Sequence, residues 1–188
     1  MSVVLFTFVM ACVTGVVYAQ GPNYTYVEFG YGDAEIDSTV DVSGDVWFIG
    51  GSFGLKNVHF FGRYAQIEFD LDIEETSWGL GVGYHGLLGE KADLVAELSY
   101  VDGEIDSFIV DFDDTGYLAS AGLRWLPIPL VELNGFVDRV EYDELGGETS
   151  YRASAILNIG PFGLGLGYET EDAGDTAVAF FRINAQSE

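Results

Sequence analysis

The segment Ser77-Trp78-Gly79-Leu80-Gly81-Val82-Gly83-Tyr84-His85 alternates strictly between large apolar or aromatic side chains and glycine or small polar ones. A period of two is the period of a β-strand, whose successive side chains leave opposite faces. One face is therefore greasy and the other nearly bare. A soluble sheet would bury the greasy face and turn charge outward. Bare glycines suit a crowded interior instead, with the greasy face turned to hydrocarbon. The pattern recurs along the chain in segments of about ten residues, the length a tilted strand needs to cross a bilayer. No internal run reaches the ~20 apolar residues of a spanning helix. Strands in lipid must close on themselves, because an open edge leaves N–H and C=O groups unpaired at several kcal/mol each. The fold class predicted is all-β: a ten-stranded antiparallel up-and-down transmembrane barrel.

The ten strands are Tyr24 to Tyr31, Val46 to Leu55, Val58 to Phe69, Ser77 to His85, Asp93 to Val101, Gly116 to Leu126, Leu130 to Val140, Ser150 to Asn158, Phe162 to Glu169 and Thr176 to Asn184. Alternation sends Phe29, Leu80, Leu98, Leu123, Leu164 and Phe181 outward. It sends Glu28, Arg63, Glu97, Arg124, Glu132, Asp138, Arg152 and Arg182 inward. Lys56-Asn57 and Gly160-Pro161 make tight turns, and Pro127-Ile128-Pro129 stops the sixth strand. Tyr31, Tyr100, Tyr117, Tyr151 and Tyr168 fall at one set of strand ends, and Phe53, Tyr84, Trp125 and Phe162 at the other. Two belts of amphipathic rings at two interfaces are expected.

Charge is as uneven as hydropathy. The chain carries 31 acidic residues against 7 Lys and Arg, a net charge of −24. Most acids fall in five clusters, at residues 33–45, 68–75, 102–114, 141–148 and 169–175. These read as five long loops on one side, with short turns and both termini on the other. This balance argues against nucleic acid, which needs basic patches, and against simple adsorption to an anionic lipid surface.

Residues 1–19 read as a secretory signal. Val3 to Met10 forms the apolar stretch, and Val17-Tyr18-Ala19 fits a cleavage site before Gln20, although the start lacks a Lys or Arg. The mature domain is then 20–188. Cys12 is the sole cysteine and lies within the signal, so the mature chain has no disulfide.

Three constellations could carry chemistry. Four cations and four anions inside a narrow barrel should pair, because an unpaired buried charge is costly. The network is then either a gate on a thin water path or a polar plug. The acidic loops offer hard oxygen ligands for Ca²⁺ or Mg²⁺, most densely at Asp70 and Asp72 and at Asp111, Asp113 and Asp114. No EF-hand spacing accompanies them, and a solvated repelling surface is the plainer reading. His59 and His85 neighbour one another across a hairpin at the turn side, without a nucleophile, so ring polarity at the interface is expected rather than catalysis.

The opening Tyr24-x-Tyr26-Val27-Glu28-x-Gly30-Tyr31, the run Phe61-Gly62-x-Tyr64, the Trp78 to His85 alternation and Asp93-Leu94-Val95-Ala96-Glu97-Leu98-x-Tyr100 resemble the small porin-like outer-membrane barrels of the OmpA/OmpX-like superfamily, in a ten-strand branch. The resemblance spans residues 24 to about 184. It implies a Gram-negative outer-membrane barrel whose turns are periplasmic and whose acidic loops are extracellular. Lipid and lipopolysaccharide would surround it, and the barrel-assembly machinery would insert it. That machinery reads a last strand ending in an aromatic; here Asn184 to Glu188 follow Phe181 and Ile183. The expected protein is a monomer without cofactor or enzymatic activity, serving envelope integrity or surface interaction. A small cation-preferring diffusion channel and a loop-mediated adhesin are the alternatives.

Overall fold

The computed structural model describes residues 22–36, 42–70, 73–107, 111–172 and 174–185. The expected signal segment and Asp72 lie outside these residues. Ten strands follow in chain order: β1 (Tyr26–Ile36), β2 (Val42–Leu55), β3 (Val58–Phe69), β4 (Ile73–Leu87), β5 (Ala92–Ser107), β6 (Asp111–Ile128), β7 (Val131–Tyr142), β8 (Gly146–Ile159), β9 (Phe162–Glu171) and β10 (Gly174–Asn184). Each pairs antiparallel with its chain neighbours, and β1 pairs with β10 to close the barrel. The closing register is continuous from Tyr26 opposite Asn184 to Ile36 opposite Gly174. No backbone edge is left for hydrocarbon to meet.

The polarity is inverted, as the alternation requires. Leu80, Leu164 and Leu166 are 62%, 56% and 68% exposed, whereas Arg124 and Glu132 are 5% and 3% exposed. Tyr64, Trp78, Tyr100 and Tyr117 form part of the acidic-side belt. Tyr64 lies opposite Trp78, and Trp78, Tyr100 and Tyr117 follow in successive ring contacts of 5.7 and 6.0 Å.

The acidic segments correct the sequence reading. Their charge predicts long loops, yet most of the described acids belong to strands that continue past the aromatic belt. Asp102, Glu104 and Asp106 lie in β5, Asp113 and Asp114 in β6, and Glu74 and Glu75 in β4. An antiparallel ladder keeps its backbone hydrogen bonds in water as in lipid, so leaving the bilayer does not end it. This projecting rim places like charges directly opposite one another: Asp33 and Asp45, Glu68 and Glu74, Glu104 and Asp113. Such pairs weaken a ladder.

At the other end the connections are tight. Lys56 turns β2 into β3 with φ 54°, and Gly160 turns β8 into β9 with φ 62°, a conformation glycine adopts without penalty. β6 also runs two residues beyond its expected stop. Its register shifts between Trp125 and Ile128, where Pro127 cannot donate to the ladder.

Aromatic rings lie flat against the inner wall. The Phe48 ring covers Gly30 and the Phe180 ring covers Gly165, so that a Cβ at either glycine would overlap the ring. Each ring and its glycine are direct cross-strand partners. Phe48, Phe180 and Ile156 meet as an apolar layer within the lumen, with Ala65 and Val178 packed against it.

Candidate functional site: the barrel lumen

The lumen is where the buried charges meet. On β10, Arg182 lies opposite Glu28 of β1. Its Nε and Nη2 donate to Glu28 Oε2 at 2.9 and 2.8 Å. Its Nη1 reaches Glu132 Oε1 of β7 at 3.4 Å. Two strands separate β10 from β7 in the wall, so this contact spans the interior. Arg124 of β6 donates to the same Glu132 oxygen from Nη2 at 2.6 Å and Nε at 3.1 Å. One carboxylate thus joins two guanidiniums, a multidentate charge-assisted arrangement. Nearer the acidic rim, Arg152 donates to both oxygens of Asp138 at 2.9 and 3.2 Å, and its guanidinium lies 5.0 Å from the Phe136 ring centroid.

Two of the eight residues do not pair as expected. Arg63 forms no ion pair among the described residues; its guanidinium lies over Phe48, 4.3 Å from the ring centroid. Glu97 meets His59 instead, at 2.9 Å. The reason is register. Arg63 is level with Gly79, whereas Glu97 is level with Gly83, four residues along β4. At about 3.3 Å per residue that is ~13 Å along the strands, added to two strand spacings of about 4.8 Å between β3 and β5, and together these put the two side chains out of reach.

The turn-side end holds residues whose arrangement the alternation did not disclose. The alternation puts Tyr24 in the first strand, but it precedes β1, and its ring folds into the mouth, 6% exposed. It stacks on His85 with centroids 3.6 Å apart and planes within 11°. Its hydroxyl donates to Asp93 Oδ2 at 3.1 Å, and the Arg124 guanidinium lies 4.3 Å from its centroid. His59 and His85 are neighbours, 5.7 Å between centroids, but inside the lumen rather than at the interface. His59 is only 2% exposed. The available signal was parity: Asp93 shares the inward face of Val95 and Glu97.

The acidic-loop residues do not assemble. Asp70 accepts from Ser43 Oγ at 3.2 Å. Asp114 accepts the backbone N–H groups of Thr115, Glu144 and Leu145 at 2.8, 3.1 and 2.9 Å. These bonds hold its carboxyl below the usual range, against the opposing effect of burial. Asp114 therefore organises the β7–β8 connection. Asp113 is exposed, and Asp111 lies in β6. Among the described residues no group of three His, Cys, Asp or Glu side chains is placed to hold a metal ion.

No family model matches this sequence, and no curated protein matches it. Its architecture does match solved structures. The transport unit of the autotransporter AIDA-I from Escherichia coli superposes with a TM-score of 0.52 at 8% identity, over 97% of this chain and 96% of that one. The fold is that of an outer-membrane β-barrel. Neisserial surface protein A aligns over 85% of this chain and 96% of its own, at 15% identity and a TM-score of 0.42. Ail, the attachment invasion locus protein of Yersinia pestis, aligns over 86% and 97%, at 14% identity and a TM-score of 0.33. With ten strands and tight turns on one side, this barrel is a small one.

Proposed function

We propose that this chain is a non-enzymatic barrel of the Gram-negative outer membrane, serving envelope integrity or surface contact, with a lumen held shut by its Arg–carboxylate network. One observation carries the reading: Arg182 of β10 reaches past two intervening strands to Glu132 of β7, which Arg124 of the neighbouring β6 also holds, so one charged contact crosses the interior while the other pairs join adjacent strands. The Phe48, Ile156 and Phe180 layer adds an apolar block. The rim supports a second reading. Strand parity points Glu75, Glu148, Glu169 and Glu171 inward, so any path through the barrel would have an anionic mouth and prefer cations.

Planar-bilayer recording tests both readings, on protein shown to be folded by its heat-modifiable gel migration. The wild-type protein is expected to give no stable current steps. Neutralising two of the network's cations together, Arg124→Gln with Arg152→Gln, is expected to produce steps. Steady cation-selective current from the wild type would favour the channel. A folded double variant that stays silent would overturn the reading that the network by itself holds the lumen shut.

A further inference from the structure

We propose that Tyr24 corks a preformed seat for a phenol ring at the turn-side mouth of the lumen. The proposal goes beyond the closed-lumen reading, because it concerns what occupies one recess rather than whether ions pass. Tyr24 lies outside the β ladder, and its neighbours tie the segment to the barrel. Asn23 Nδ2 donates to Ala185 O at 2.8 Å, and the Arg124 Nη2 donates to Asn23 O at 2.9 Å. Gly54 N donates to Thr25 Oγ1 at 3.0 Å. The ring is the part that enters.

Groups from four strands receive it: His59 of β3, His85 of β4, Asp93 of β5 and Arg124 of β6. Several of these have anchors of their own. Glu132 holds Arg124, Glu97 holds His59, and Asp93 lies 3.7 Å from His85 Nδ1. The seat therefore keeps its shape if the ring leaves. It recognises a ring by stacking on His85 and a hydroxyl by the Asp93 carboxylate, the two features of a phenol. His59 Nδ1, His85 Nε2 and Asp93 Oδ1 are also buried without a hydrogen-bond partner among the described residues. Buried polar atoms are normally paired. Unpaired polar atoms around an aromatic ring give the place that Tyr24 fills a polar lining, unlike the apolar layer of Phe48, Ile156 and Phe180.

The test is rescue of a cavity. The full chain carrying Tyr24→Ala is purified folded in detergent, and its unfolding temperature is read from heat-modifiable migration. The variant is expected to unfold at a lower temperature than the wild type. Millimolar p-cresol is expected to restore part of the loss, and toluene at the same concentration less, while the wild type does not move. Equal shifts in variant and wild type, or no shift in the variant, would overturn the proposal. If Tyr24→Ala does not fold, Tyr24→Phe keeps the ring and removes the bond to Asp93. It should fall below the wild type, and a value equal to the wild type would overturn recognition of the hydroxyl. No current is measured, so the outcome stands apart from the conductance test.

Discussion

Gly30 and Gly165 constrain the inner wall, because each lies beneath a phenyl ring from the adjacent strand. A side chain there must displace Phe48 or Phe180 from the apolar layer. Gly165→Val should cost about 1–3 kcal/mol through overpacking, read as a lower urea midpoint for unfolding from detergent. Leu166→Val on the lipid face should change that midpoint little. The inward position of both glycines was legible from alternation alone. The rings that cover them were not, because period two fixes a face but not the level of one strand against the next. The same limit explains Arg63 and Glu97, which share a face by alternation yet lie four residues apart in level. Tyr24 shows a different limit: it continues the parity of Tyr26 and Glu28, so nothing in the alternation marks where the ladder ends and the plug begins.

At the scale of the strand, the projecting rim was the least legible feature. Asp102, Glu104 and Asp106 keep a spacing of two, which is a strand signal, but their charge suggested a loop. The ladder continues there with Glu104 facing Asp113 and Glu68 facing Glu74. Opposed carboxylates in water are screened by salt, with a Debye length of about 30 Å at 0.01 M and 3 Å at 1 M. Amide hydrogen exchange in residues 102–106 and 113–116 should therefore slow as NaCl rises at constant pH, while exchange in 94–100 stays unchanged. Rim exchange indifferent to salt would mean that the opposed pairs exert no strain on the ladder.

The whole molecule should respond to pH from the same end. Glu171 lies beyond the aromatic belt, and its carboxyl is pushed up to about 7, first by burial and then by Glu148, Glu169 and Glu75. Burial and Glu148 likewise raise Glu75. A carboxyl whose pKa is higher folded than unfolded contributes stability below the unfolded value, ~4.3, and loses it as pH rises through the folded value. The unfolding temperature in detergent is thus expected to fall between pH 5 and pH 8. In Glu171→Gln the fall should be smaller. A wild-type profile that rises over this interval would contradict the sign.

The rim also bears on how the barrel comes to rest in its membrane. The turn-side connections carry few charges, among them Lys56, Glu90 and Lys91, whereas nearly all the excess acid crowns the opposite end. Ionised carboxylates cross hydrocarbon only at great expense. Once the crown has been carried through, it acts as a barb. To turn over, the cylinder would have to lift that whole ring of anions across the lipid again, so the side on which the rim settles is kept.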